Sequence, residues 1–104
     1  MDAKEVYRLL KSTGIPTTHN VFLKVQKPPY LLYRDDDTDI IAANSRAVLK
    51  KQRITVELYS SPTEINNAEK IVENLLDEFT TYSKNRSFDD EQQLYVTYYN
   101  FYII

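Results

Sequence analysis

The stretch ITVELYSSPTEINNAEKIVENLLDEF, residues 54–79, decides the fold, because a strand pattern runs directly into a helix pattern. Ile54, Val56 and Leu58 alternate with more polar residues, which is the period of a strand that buries one face. Ser61 is followed at once by a proline and, three residues on, by Glu64, an arrangement typical of a helix start. We therefore predict a strand over residues 54–60 and a helix over residues 62–80.

The predicted helix carries one apolar stripe along its length. The residues that share this stripe are Ile65, Ala68, Val72, Leu75, Leu76 and Phe79. Val72 and Leu75 fall in the middle of the stripe, so we expect both to lie in the core. Charged residues such as Glu69, Glu73 and Asp77 fall largely outside it. This helix should be the main support of the core.

Shorter elements are predicted on either side of this stretch. Asp2 and Glu5 form a capping-box start for a first helix, and Gly14, the only glycine, should end it before Pro16. We predict strands over residues 20–26, 30–33 and 39–43, a hairpin loop over residues 34–39 and a polar, basic connection over residues 44–52. A polar stretch over residues 81–90 leads to a final strand over residues 94–104, which is rich in tyrosine.

The order helix, strands, helix, strand predicts an α+β fold. We expect a single domain over residues 1–104, with a mainly antiparallel sheet of four to five strands and two helices packed on one of its faces. The length of 104 residues suits one hydrophobic core, and a share of 42% hydrophobic residues is ordinary for a globular protein.

Composition argues against several classes of function. The chain has no cysteine, which removes disulfides and thiolate metal sites, and its one glycine excludes the glycine-rich phosphate loops. No stretch approaches the roughly 20 apolar residues of a membrane span, and charged residues interrupt the N-terminus. We therefore expect an intracellular protein without a membrane partner. The net charge of −2 argues against specific nucleic-acid binding.

Individual residues offer weak evidence for chemistry. His19 is the only histidine, and no oriented partner for it is visible in the sequence, with Thr17 and Thr18 as poor nucleophiles nearby. A calcium loop starting at Asp35 would need glycine and glutamate where Ile40 and Arg46 stand, so a solvated loop or an acidic interface patch is the better interpretation. We expect no catalytic residue, no metal and no cofactor.

The C-terminal aromatic residues admit two interpretations. They are Tyr95, Tyr98, Tyr99, Phe101 and Tyr102. A base-stacking platform for single strands is one possibility, but such platforms lie among cations, and Arg86 is the last basic residue of the chain. Packing in the core and at a subunit interface is therefore favoured.

The chain resembles the small tail terminator, or tail-to-head joining, proteins of long-tailed bacteriophages and of prophages of Gram-positive bacteria. The resemblance covers nearly the whole chain as a pattern and order of elements. It rests on TGIP at residues 13–16, PYLLY at residues 29–33, Asp39 before AAN at residues 42–44, ITVELYS at residues 54–60, Glu69 and Leu75 in the helix, and LYVTY at residues 94–98. The aspartates at residues 35–37 and the tyrosine-rich tail depart from the family pattern.

The resemblance implies a virion assembly protein that forms a hexameric ring on the head-proximal end of the tail tube. The ring would stop tube polymerisation and provide the joint to the head connector, with the tail tube protein and a head-completion protein as partners. The protein would act in the host cytoplasm and remain in the virion at the head-tail junction. The alternatives are a head-completion protein at the same junction, or an α+β module that binds a small ligand or single-stranded nucleic acid.

Segregated charge suggests how such a ring closes. Four aspartates lie in the predicted loop: Asp35, Asp36, Asp37 and Asp39. Four cations lie in the following connection and strand start: Arg46, Lys50, Lys51 and Arg53. These segments could be neighbouring solvated stretches of one subunit. In a ring, where subunits meet head to tail, we hypothesise that the acidic segment of one subunit faces the basic segment of the next.

Overall fold

A computed structural model describes residues 2–20, 27–43 and 47–103 of the protein, with residues 36–43 and 47–50 described by their backbone. The elements in chain order are α1 (Ala3–Lys11), β1 (Thr17–His19), β2 (Tyr30–Ala43), β3 (Ala47–Ser60), α2 (Ile65–Leu76), β4 (Ser83–Asp89) and β5 (Leu94–Ile103). The strands form one five-stranded sheet in the order β1-β2-β3-β5-β4. β1 runs parallel to β2, and the other neighbours are antiparallel. The predicted α+β class is confirmed.

The core lies between one face of the sheet and the two helices. Val56 is level with Tyr33 on β2 and with Tyr99 on β5, and all three side chains are buried. Residues from both helices join them in one apolar cluster, which includes Val6, Leu10, Ile65, Ala68, Val72 and Leu76. The period-2 pattern of residues 54–60 therefore identified the buried face of the central strand.

The first helix starts and ends where the sequence predicts. The Asp2 carboxylate accepts a hydrogen bond of 2.9 Å from the backbone N–H of Glu5, which caps the helix. At the other end, Gly14 has φ of +84°, the left-handed conformation that ends a helix at low cost when the residue is glycine.

The second helix is shorter than predicted, because residues 62–64 and 77–79 form turns. The helix begins later than the Ser61 pattern predicts: Glu64 occupies the capping position without a side-chain bond, and the backbone carbonyl of Ser61 accepts from the N–H of Ile65. Val72 is fully buried as expected, whereas Leu75 is only partly buried and Leu76 takes the fully buried position.

Glu69 falls outside the apolar stripe of the sequence, yet the residue is only 4% exposed. Its carboxylate accepts hydrogen bonds from Arg86 Nε at 2.9 Å, Lys84 Nζ at 3.1 Å and Thr97 Oγ1 at 2.6 Å. Burial alone would raise the pKa of Glu69, but the bonds from Arg86, Thr97 and Lys84 outweigh it and lower that pKa from 4.5 to about 2. This ion cluster fastens strand β4 to helix α2.

A second carboxylate extends the same cluster. Glu73 accepts from Lys84 Nζ at 2.8 Å and from the buried Tyr99 hydroxyl at 2.8 Å. Burial, and then the hydrogen bond to Glu73, raise the pKa of Tyr99 above its ordinary value. Tyr99 therefore spans the core as a neutral phenol that links β5 to α2.

Three predicted boundaries between strand and loop are corrected. The predicted hairpin loop over residues 34–39 is part of β2, with a register shift between Asp35 and Thr38. Most of the predicted connection over residues 44–52 belongs to β3, and the polar stretch over residues 81–90 contains the edge strand β4. The predicted strand over residues 20–26 falls almost entirely outside the described residues, and β1 was not predicted.

Neither described helix is long and apolar enough to cross a membrane.

Candidate subunit interface

Strands β2 and β3 continue together beyond the other described strands. They remain paired as far as Ala43 opposite Ala47, whereas among the described residues the pairing of β5 with β3 begins at Gln52 and that of β1 with β2 ends at Tyr33. Residues 36–43 and 47–51 therefore form a two-stranded ribbon, here named the arm. Among the described residues, no strand pairs with either outer edge of the arm. The long axis of the molecule measures 51 Å, against 26 Å and 22 Å for the others.

The arm holds most of the charged residues of the hypothesised interface. The acidic residues Asp36, Asp37 and Asp39 lie on its β2 strand, and the basic residues Lys50 and Lys51 lie on its β3 strand. Asp35 and Arg53 lie where the arm joins the rest of the sheet, here named its root. Arg46 falls outside the described residues. The backbone register places Asp39 directly opposite Lys51. The acidic and basic segments are thus neighbouring strands of one hairpin, not a loop followed by a connection.

The acidic side of the root holds the only histidine. His19 Nε2 lies 2.5 Å from Asp35 Oδ1, and the imidazole stacks on the ring of Tyr33 with 4.5 Å between centroids. The Tyr33 hydroxyl donates to the carbonyl of Ala3 at 3.1 Å. Burial, and then the charges of Asp35 and Asp2, raise the pKa of Tyr33 to about 12. His19 was expected to lack an oriented partner, and Asp35 provides one.

This histidine and aspartate pair could orient an imidazole for acid-base chemistry, which would also need a substrate or a nucleophile within reach. The Thr17 hydroxyl, considered above as a nucleophile, donates to the carbonyl of Ile15 at 2.9 Å. The pair therefore links β1 to the root of β2.

The basic side of the root is organised around Tyr102, whose side chain is 43% exposed. Lys51 Nζ lies 5.5 Å and Arg53 Cζ 5.7 Å from the centroid of its ring, within the range of cation–π attraction. Arg53 also donates to the Tyr102 hydroxyl at 3.2 Å. One aromatic ring thus holds two cations side by side at the surface.

An open cleft of about 870 Å³ adjoins these cations. Its described lining includes Lys51, Arg53, Thr81, Ser83, Asn100 and Tyr102, and no carboxylate is among the described lining residues. The side-chain oxygen of Asn100 accepts from Thr55 at 2.8 Å, so its amide NH₂ remains to donate. Cations, hydroxyls and an amide donor make the cleft suited to an anionic group such as a carboxylate.

The C-terminal aromatic residues are divided between the two faces of the sheet. Tyr99 and Phe101 are buried beneath the helices, and Tyr95 packs against the same core. Tyr98 and Tyr102 alternate with them along β5 and lie on the opposite face. The five C-terminal rings therefore do not form one continuous surface.

The sheet face opposite the helices carries its own polar network. The buried Glu57 carboxylate accepts from Arg34 Nε at 2.6 Å and from the Tyr59 hydroxyl at 2.6 Å. The ring of Tyr59 stacks on Tyr30, with 4.7 Å between centroids. Burial, and then the hydrogen bond to Glu57, raise the pKa of Tyr59. The polar groups of this face are thus satisfied within the subunit.

Sequence reasoning missed two groups that organise the root of the arm. The partner of His19 was missed because residues 34–39 were taken for a loop. The pairing of Tyr102 with Arg53 was missed because it depends on the register between β3 and β5. A signal for the strand that binds Glu69 was present in the sequence. Lys84, Arg86 and Phe88 alternate as residues on one face of a strand do.

Among the described residues, no group of three or more histidine, cysteine, aspartate or glutamate side chains is placed to hold a metal ion. Comparison of the chain with models of known protein families and with curated protein sequences found no match.

Proposed function

We propose that the protein is an assembly subunit of a long-tailed phage or prophage, whose copies form a hexameric ring that caps the head-proximal end of the tail tube. The observation that carries this proposal is the arm. It presents an acidic strand at one edge and a basic strand at the other, and neither edge is paired with a described strand. A subunit with two different, complementary edges is suited to head-to-tail contacts that close into a ring.

The resemblance of residues 13–16, 29–33 and 54–60 to tail terminator proteins supplies the location of the ring. In this proposal one face of the ring matches the last ring of the tube, and the other face offers no surface on which tube subunits add. Polymerisation therefore stops, and the outer face is left to dock the head connector. The function is mechanical and requires no catalytic residue.

Tube growth provides the test. The purified protein is mixed with the tail tube protein of the same phage, either before polymerisation or after it, and tube lengths are measured by negative-stain electron microscopy. Addition before polymerisation is expected to shorten the tubes. Addition after polymerisation is expected to leave lengths unchanged but to block extension at one end when fresh tube protein is supplied.

Tubes that extend equally at both ends in the presence of the protein would reject the capping role. If the protein instead binds purified head connectors and leaves tube growth unchanged, the head-completion alternative replaces it. A protein of similar size that does not belong to the virion is the control for non-specific effects on polymerisation.

A further inference from the structure

We infer that the arms of neighbouring copies pair edge to edge, with the β2 strand of one arm beside the β3 strand of the next. This inference rests on the proposed ring and names the contact that closes it. It assigns a binding surface to residues 36–43 and 47–51, and the partner is a second copy of the same chain.

The backbone of the arm provides the first argument. An isolated two-stranded ribbon is marginally stable in water, and its outer edges present N–H and C=O groups that favour pairing with another strand. The β2 edge of the arm spans eight residues, 36–43, which at about 3.4 Å per residue is about 27 Å of strand. Among the described residues, no strand pairs along this length.

The sequence of the arm provides the second argument. Towards its tip the two strands read IIAA at residues 40–43 and AVL at residues 47–49, and the register places Ile41 opposite Leu49 and Ala42 opposite Val48. The tip of the arm is thus apolar in composition, and pairing with a strand of a second copy would remove part of it from water.

Charge selects which edges meet. The β2 strand contributes Asp36, Asp37 and Asp39, and the β3 strand contributes Lys50 and Lys51. In a two-fold dimer, two β2 edges paired over residues 36–43 would run antiparallel, so that Asp36 and Asp37 lie level with Ala43 and Ala42 of the second copy and meet no opposite charge. A β2 edge beside a β3 edge places opposite charges together, and this head-to-tail contact can repeat around a ring.

Direction and register agree with the same arrangement. When adjacent copies point their arms the same way, the β2 strand of one copy runs antiparallel to the β3 strand of the next. Within one copy the two strands are antiparallel as well. An unstaggered contact then places Asp39 level with Lys51 of the neighbour, as it is level with Lys51 of its own chain. The donor-lined cleft at Lys51 and Arg53 lies at the root of the β3 edge, where the neighbour's acidic strand would enter.

The competing arrangement keeps these charges within one subunit, because Asp39 and Lys51 already face each other across the hairpin. Opposite charges across a strand pair contribute about 0.2 to 1 kcal/mol inside a monomer. Mixing two variants separates these cases. It can restore a contact between copies, but it cannot restore a contact within one copy.

The experiment compares two variants, alone and as an equimolar mixture, by sedimentation velocity at low ionic strength. One carries Lys50→Glu and Lys51→Glu, so that both edges of its arm are acidic. The other carries Asp36→Lys, Asp37→Lys and Asp39→Lys, so that both edges are basic. Each alone is expected to assemble about tenfold more weakly than the wild type, and the mixture is expected to recover assembly through alternating copies. Combining all five substitutions in one chain should also restore assembly in part.

The matched control carries Lys4→Glu and Lys70→Glu, the same change of charge at two exposed positions on α1 and α2, and should assemble like the wild type. A third variant replaces residues 36–50 with Asn-Gly, which retains every residue of the described core cluster. It is expected to fold, by thermal melting, but to remain monomeric. This variant tests the inference even if a charge variant fails to fold.

Assembly of the armless chain at the wild-type level, or a mixture no more assembled than its separate components, would overturn the inference. The outcome is separable from that of the proposed function. If the wild type caps tubes and the armless chain caps them equally well, the arm contact fails and the function stands. If mixing restores rings but the wild type leaves tube growth unchanged, the contact stands and the function fails.

Discussion

Replacing Leu76 with alanine is expected to lower the free energy of unfolding by about 2 to 5 kcal/mol. Leu76 is fully buried at the C-terminal end of α2 and packs in the cluster that joins both helices to the sheet. Truncation removes apolar contacts and leaves a cavity, because the sheet on the opposite side of the core cannot collapse around the missing atoms. Urea denaturation followed by circular dichroism measures the change as a lower midpoint with an unchanged slope.

Leu75→Ala is the matched control for this substitution, since it makes the same chemical change one position earlier. Leu75 is only partly buried against the core, so its truncation should cost clearly less than that of Leu76. The sequence pattern placed both leucines on one stripe and favoured Leu75. A larger loss for Leu75→Ala than for Leu76→Ala would contradict the packing of α2 described above.

The ion cluster around Glu69 is expected to make stability depend on pH. The folded pKa of about 2 lies below the ordinary value of 4.5, so the unfolded chain takes up the proton first as the pH falls. The stabilisation is therefore complete at pH values above the unfolded pKa of 4.5, and it is lost as the pH falls toward the folded pKa of about 2. A difference of about 2.5 between the two pKa values is worth about 3 kcal/mol.

Glu69→Gln should remove this contribution, and urea denaturation at a series of pH values between 5 and 2 measures it. The difference in stability between wild type and variant is expected to shrink as the pH falls, because the wild-type carboxylate becomes neutral. Glu64→Gln, at an exposed position beside the start of the same helix, should leave the pH dependence unchanged. A constant difference between wild type and Glu69→Gln over this range would show that the cluster contributes no proton-linked stability.

The parts of the fold that sequence predicted well are those that bury one face. Residues 54–60 and the stripe from Ile65 to Leu76 follow the periods of a strand and a helix because the core lies on one side of each. Edge strand β4 was missed for the opposite reason. Most of its side chains are exposed, so no apolar alternation marks it. Its Lys84 and Arg86 do alternate, but their partner Glu69 lies on a different element.

The arm shows where local sequence is a poor guide. Four aspartates within residues 35–39 disfavour a strand when taken alone. Backbone pairing with residues 51–54 nevertheless holds most of this segment in the sheet. The charged residues of the candidate interface could be identified from the sequence, but their arrangement could not, because the register that sets Asp39 opposite Lys51 depends on the whole hairpin.

The most direct measurement of the central claim is the position of the protein in intact phage particles. An antibody raised against the purified protein and detected with gold particles is applied to isolated tails and to complete virions, and electron microscopy records where the label lies. The proposal predicts label at one end of isolated tails, opposite the host-binding tip, and at the head-tail junction of complete virions. Label along the length of the tube, at the host-binding tip, or absent from particles altogether would contradict it.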